Sequence, residues 1–529
     1  MKRLISIFLF IIYTSASAQN NAGLIPMPQK YEQGKGVFKL NSQTSISGNQ
    51  KALKNIAHYF KNEVLKLKGI SIKEKASSAN IVLKLVKDKK NPEGYDLKVS
   101  PEQIVISAGS ASGIFYGVIA LLQMAVNSKN TEIAACTITD SPAYAWRGLM
   151  LDESRHFFGK EKVKSILNWM AFYKLNTFHW HLTDEPAWRL EIKKYPKLGV
   201  IGGTGDYLNP DLPAQYYTQT DVEEIVAYAG ARYIKVIPEI DMPGHATAAS
   251  RAYPQYSGGG SVGHPDFTFN PGNENTYSYL SEILKETNVL FPAKMIHLGG
   301  DEVSYGNEKW KTDPSILRLK REYNLKDDIA VERYFMKRMA DSVYHLNTKV
   351  LVWDEMADVD LPNDKTIMFW WRQDKPKQLA TALNKGYQTV LCPRMPLYFD
   401  FVQDSTHRYG RKWNKRYNPV EQVYHFDAAQ FAENSNQRRN ILGIQANLWT
   451  ETVSDEKRLD YLLFPRMAAL AEAAWTNKEA KNFEAFQNAL KKHILLYNAN
   501  KIYYYDPFGN SNAEPSVQKS NKNYLDKPE

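Results

Sequence analysis

Asp301 and Glu302 stand side by side in the stretch 295–305, M-I-H-L-G-G-D-E-V-S-Y. Met295, Ile296 and Leu298 make a short apolar run that Gly299 and Gly300 then break, the signature of a buried strand and its exit turn. Adjacent carboxylates repel, and in a cleft that repulsion pushes one pKa upward. A carboxyl group raised in this way can act as a general acid near neutral pH. For a lone Asp-Glu pair a solvated acidic turn is the plainer reading. The two glycines, the buried run and the matching stretches elsewhere in the chain reverse that preference.

Other chemistry-bearing residues come at comparable places. Trp353, Trp371 and Trp449 each follow a short apolar run. One alone reads as core, but three converging would form an apolar box for a small ring or a methyl group. Arg147 and Arg155 could grip hydroxyls or pair with Asp152. His179 and His181 share one strand face, a spacing that can bind metal. The later runs end in Asp354-Glu355 and Trp371-Arg372 rather than histidine, and there is no HExxH, so no metal site and no cofactor is expected.

These residues need a scaffold that gathers them. From about residue 145 short apolar runs alternate with helical segments: 147–154, 176–184, 234–245, 295–302, 349–356, 366–372, 387–393 and 443–451. This α/β pattern predicts a (β/α)8 TIM barrel over 141–500, whose chemistry sits at the carboxyl ends of the strands. A doubly wound sheet is the alternative, but its Gly-rich loop after the first strand is missing. Residues 19–140 predict a smaller α+β non-catalytic domain, and 501–529 a polar, poorly ordered C-terminal tail.

Residues 1–18 combine Lys2-Arg3, an apolar core and Ala16-Ser17-Ala18, the pattern of a cleaved signal peptide. Export to the periplasm or the extracellular medium is therefore expected, with no stable membrane insertion. The formal charge of +10 falls to about +8 once the leader is removed. No dense Lys/Arg run carries a nucleic-acid motif, so no nucleic-acid partner is expected. Cys136 and Cys392 fall in different predicted domains and read as free thiols.

Asp301 and Glu302 do not suit the usual retaining glycosidase pair, whose carboxyls lie about 5–5.5 Å apart on either side of the scissile bond. One acid could instead protonate the leaving oxygen while its neighbour steers a nucleophile that belongs to the substrate. The motifs agree. His297-Leu298-Gly299-Gly300-Asp301-Glu302, the run R-G-L-M-L-D-E-S-R at 147–155, W-H-L-T-D at 180–184 and P-E-I-D-M-P-G-H at 238–245 resemble glycoside hydrolase family 20, the exo-acting β-N-acetylhexosaminidases. The V-W-D-E, W-W-R and L-W-T-E runs match in order. The front domain, with E-G-Y-D-L at 93–97 and G-I-F-Y-G at 113–117, resembles that family's non-catalytic domain.

The resemblance implies a glycan substrate with a terminal β-linked N-acetylhexosamine. It implies Glu302 as general acid and Asp301 as the residue that orients the 2-acetamido group. Trp353, Trp371 and Trp449 would enclose the acetamido methyl, and Tyr398 would bond its oxygen. Arg147, Asp400 and Glu451 would hold sugar hydroxyls, with Asp184 and His245 supporting Glu302. Trp370 stands beside Trp371, and either could line the pocket. A disaccharide-releasing variant and an inactive glycan-binding barrel are the alternative readings.

Overall fold

The computed structural model describes residues 23–48, 50–75, 78–87, 91–413, 415–509 and 512–517. The leader expected at 1–18 and the end of the tail lie outside the described residues.

The first domain is a seven-stranded mixed sheet covered by two helices. The strand order is Lys30–Lys39, Glu132–Asp140, Tyr95–Val99, Ile104–Ala108, Ile81–Leu85, Ser45–Ser47 and Lys73–Glu74. Helix Lys51–Lys68 buries Leu53, Ile56, Phe60 and Val64, a single stripe at helical spacing, and stops at Gly69, where φ is 70°. Helix Ala111–Asn127 starts from the Ser110 side chain, which accepts the Gly113 N–H. It is buried on every face from Gly113 to Val126. Within this interior the Gln123 side chain donates to the carbonyls of Ile25 and Phe172, the latter on the next domain.

The eight apolar runs form a closed parallel barrel. Its strands, in order, are Trp146–Asp152, Thr177–His181, Lys235–Glu239, Met295–His297, Lys349–Trp353, Thr366–Trp370, Gln388–Leu391 and Ile441–Leu448. The register pairs Asp152 with His181, His181 with Glu239, and Glu239 with His297. Parallel register thus delivers the polar ends of neighbouring strands to one rim.

Two connections depart from the regular pattern. After the fifth strand there is only a 3-10 turn, Asp354–Asp358, because few residues, Pro362 among them, separate it from the sixth. The apolar stretch after the eighth strand forms two helices rather than one, Glu456–Leu463 and Arg466–Trp475, because Pro465 cannot continue the first.

The tail also differs from expectation: Ile502, Tyr504 and Asp506 are buried, so its first part packs on the barrel. Cys136 and Cys392 are buried and unbonded. Among the described residues no helix is long and apolar enough to cross a membrane.

Candidate active site

The fourth strand ends at His297, and the chain turns sharply before the acids. Gly299 and Gly300 have φ of 67° and 92°, and Glu302 itself has φ of 53°. A Cβ on Gly299 would fall 1.7 Å from Asp241 Oδ1, so side-chain-free backbone is required there. Gly300 N–H points to that same oxygen at 3.4 Å. This turn lifts Asp301 and Glu302 over the barrel mouth.

Behind the pair runs a buried chain of alternating acids and imidazoles. His245 Nε2 lies 3.7 Å from Asp301 Oδ2 and 3.6 Å from Glu302 Oε2. Its Nδ1 donates to Asp184 at 3.0 Å. Asp184 also accepts from His181 Nε2 at 2.8 Å and Arg155 Nη1 at 2.6 Å. His181 Nδ1 bonds Glu239 at 2.6 Å, and Glu239 accepts the Trp353 indole N–H at 2.8 Å. The second, third and fifth strands are thereby tied to the acid pair.

The charges along this chain follow from its partners. Burial opposes charge on His245, but Asp184, Asp241 and Asp301 outweigh it and hold the imidazole pKa well above its usual value. Burial pushes the Asp184 carboxyl up, yet Arg155 and His245 bring it well below the ordinary range. Asp301 is raised, chiefly by burial, with His245 pulling the other way. Asp241 is raised well above normal by burial and by the charge of Asp301.

His179, Glu239 and His297 place possible metal-ligating atoms within 4.8 Å of one another. Each of the three side chains is hydrogen-bonded through at least one atom, while His179 Nε2 and His297 Nε2 make no hydrogen bond. Glu239 serves Trp353 and His181, the Gln445 amide bonds His179, and the Gly299 N–H bonds His297.

The mouth holds a cleft of about 450 Å³ lined by Arg155, His245, Asp301, Glu302, Trp353, Trp371, Arg394, Tyr398, Arg411, Trp449 and Glu451. Its aromatic members are in mutual contact. Trp353 and Trp449 centroids are 6.2 Å apart, and Trp371 stacks parallel to Tyr398 at 6.3 Å. Trp371 is the tryptophan that lines the cleft; Trp370 packs outward against Phe431. A second, larger opening shares Glu302, Trp371 and Arg394 with the first and continues past Tyr305, Glu355 and Arg372.

Asp184 and Asp400 do not line the cleft. Asp184 sits one layer back, behind His245. Asp400 is buried beside Arg411, whose Nε lies 3.4 Å away, and Arg411 Nη2 donates to Glu451 at 2.8 Å.

Arg147 requires a correction. It occupies the beginning of the first strand, at the opposite end of the barrel, and cannot reach a sugar. Its guanidinium is fully buried, paired with Glu93 of the front domain at 2.8 and 3.0 Å, and bonded to the Lys174 and Tyr144 carbonyls. Arg155, after the same strand, lines the cleft instead. Strand polarity explains the difference: only residues at the carboxyl end face the mouth. Arg394 and Arg411 escaped the sequence reading because they lie in the long connection after the seventh strand, which has no periodic pattern.

Two family descriptions match the chain: the glycosyl hydrolase family 20 catalytic domain over residues 144–478, and domain 2 of that family over 21–141. A β-hexosaminidase of Porphyromonas gingivalis is 33% identical over 92% of this chain, which spans 64% of that relative's length. A β-hexosaminidase of Vibrio furnissii is 33% identical over 86% of this chain and 77% of its own. The crystal structure of an exo β-N-acetylglucosaminidase from Vibrio harveyi with N-acetylglucosamine superposes with a TM-score of 0.84 at 30% identity, over 92% of this chain and 79% of that one. With the acid pair, the aromatic cleft and both domains in place, the chain belongs to glycosyl hydrolase family 20.

Proposed function

We propose that this protein is an exo-acting β-N-acetylhexosaminidase that removes terminal N-acetylhexosamine from glycans with the substrate's own acetamido group as nucleophile. The observation that carries the reading is Asp301 Oδ1, a buried carboxylate oxygen without a hydrogen-bond partner in a cleft where Trp353, Trp371, Tyr398 and Trp449 stand among charged side chains. An unsatisfied buried acceptor is costly unless a ligand supplies a donor, and an acetamide N–H is such a donor. The rings of Trp353, Trp371 and Trp449 give its methyl an apolar seat.

In the first step the acetamido oxygen attacks the anomeric carbon as Glu302 gives its proton to the departing glycosidic oxygen. Asp301 stabilises the positive charge that develops on the acetamido nitrogen, and an oxazolinium ring results. Glu302, now a carboxylate, takes a proton from water as that water attacks the anomeric carbon. The ring opens, the acetamido group is restored and the β configuration is retained. His245, held between Asp184 and the acid pair, favours the anionic form of Asp301.

The smaller cleft accommodates the terminal sugar, and the larger opening on the other side of Glu302 receives the leaving group. The ion-paired wall of Arg411 and Glu451 supports exo action. The complex of the Vibrio harveyi enzyme with N-acetylglucosamine agrees with that reading.

The test compares an aryl N-acetyl-β-glucosaminide with the aryl β-glucoside that lacks the acetamido arm. The glucoside should be inert, and equal turnover would refute the mechanism. On the N-acetyl substrate Glu302→Gln should lose about 10²–10⁴ in kcat, and Asp301→Asn should also slow the reaction. Export by the N-terminal leader belongs to the same proposal. Its check is N-terminal sequencing of the mature protein, which should begin at Gln19.

A further inference from the structure

The pocket wall carrying Glu451 is held in place by a segment distant in sequence. Glu514, in the packed part of the tail, accepts the backbone N–H of Arg408 at 2.7 Å and of Tyr409 at 3.0 Å. Those two residues lead directly through Gly410 into Arg411. The same carboxylate lies 3.7 Å from Arg458 Nη1, a fully buried guanidinium. Arg458 donates in turn to the Pro515 carbonyl and, at 2.6 Å, to the carbonyl of Thr452, which follows Glu451.

Gly410 shows how closely these parts meet. Its φ is 104°, and a Cβ there would come within 2.9 Å of Arg458 Nη2 and of Val402. The loop backbone therefore lies flat against Arg458, while Arg411 turns back to bridge Asp400 and Glu451. A buried guanidinium needs a compensating anion, and charged acceptors make the stronger hydrogen bonds to backbone N–H groups. Glu514 meets both needs, so two sides of the Arg411–Glu451 contact converge on one carboxylate.

We propose that Glu514 is a positioning residue for the sugar pocket: by clamping residues 408–409 and Arg458 it sets Arg411, and through Arg411 the carboxylates of Asp400 and Glu451. The inference rests on the reading of those carboxylates as partners of the sugar hydroxyls. It adds to that reading a determinant of substrate affinity far outside the family's motifs.

The test is a double-mutant cycle of Glu514→Ala and Arg411→Ala on the full chain, with an aryl N-acetyl-β-glucosaminide. Glu514→Ala should raise KM about fivefold with kcat changed much less, and the double variant should be no worse than Arg411→Ala alone. Glu514→Gln, which keeps one acceptor oxygen, should show a smaller rise. Thermal unfolding of each variant establishes that the measured enzyme is folded. A role confined to stability would lower Tm and leave the cycle additive.

Wild-type KM in folded Glu514→Ala, or effects that multiply in the double variant, would overturn the proposal. If the alanine variant does not fold, the same cycle with Glu514→Gln decides by the same criteria. Cleavage of the glucoside without its acetamido arm would defeat the parent reading separately, whatever the cycle returns.

Discussion

Asp301 and Glu302 leave one turn but meet different surroundings. Asp301 is buried and raised by that burial, with the cation at His245 as its main counterweight. Removing that cation has a definite sign. In His245→Ala the Asp301 pKa should climb further, so the acidic limb of the pH–rate profile should move to higher pH. A limb that stays where it is in wild type would separate His245 from the ionisation of Asp301. The neighbouring tryptophans offer a second residue-scale contrast. Trp371→Ala opens the pocket and should impair turnover of the N-acetyl substrate. Trp370→Ala leaves a cavity outside the barrel and should cost about 3–5 kcal/mol of stability, with KM retained in the folded fraction. Reversed phenotypes would reassign the pocket.

At the scale of elements, the active turn depends on two strands approaching each other closely. Asp241, beyond the third strand, fills the space a side chain at Gly299 would need. Gly299→Ala must therefore shift Asp241 or the turn. A displacement of about 1 Å at the acid pair is enough to cost roughly 10²-fold in rate. Kinetics of that variant at unchanged Tm would read this displacement, and near-wild-type activity would show the turn to be more yielding than its contacts imply. The G-G-D-E run revealed the turn because glycine pairs mark backbone that other residues avoid. Asp241 as the neighbour was not legible, since nothing in P-E-I-D-M-P-G-H says which residue faces the next strand.

For the whole molecule, the front domain closes the amino end of the barrel while the chemistry occupies the other. Arg147 and Glu93 bind the two domains, as do Lys174 and Asp140 at 3.2 Å. Arg147→Ala leaves the partly buried Glu93 without its cationic partner and should cost about 3 kcal/mol. The folded variant should keep wild-type KM. Denaturant unfolding combined with kinetics checks both halves, and a specific rise in KM would restore Arg147 to the sugar site. The packed stretch of the tail acts at this scale too, since Glu514 and Arg458 join the end of the chain to the rim of the barrel.

The amino-acid order alone determined the alternation of apolar runs and helices, hence the barrel and its smaller partner. It also marked Asp301, Glu302 and the tryptophans at the strand ends. Such features are local: periodicity, glycine breaks and short motifs are properties of neighbouring residues. Tertiary structure decided which arginine reaches the cleft, which of two adjacent tryptophans faces it, and that Arg394, Arg411 and a residue as distant as Glu514 belong to its surroundings. Those outcomes depend on strand polarity and on contacts between segments far apart in the chain. Two arginines eight positions apart can look alike in sequence and still stand at opposite ends of the same strand.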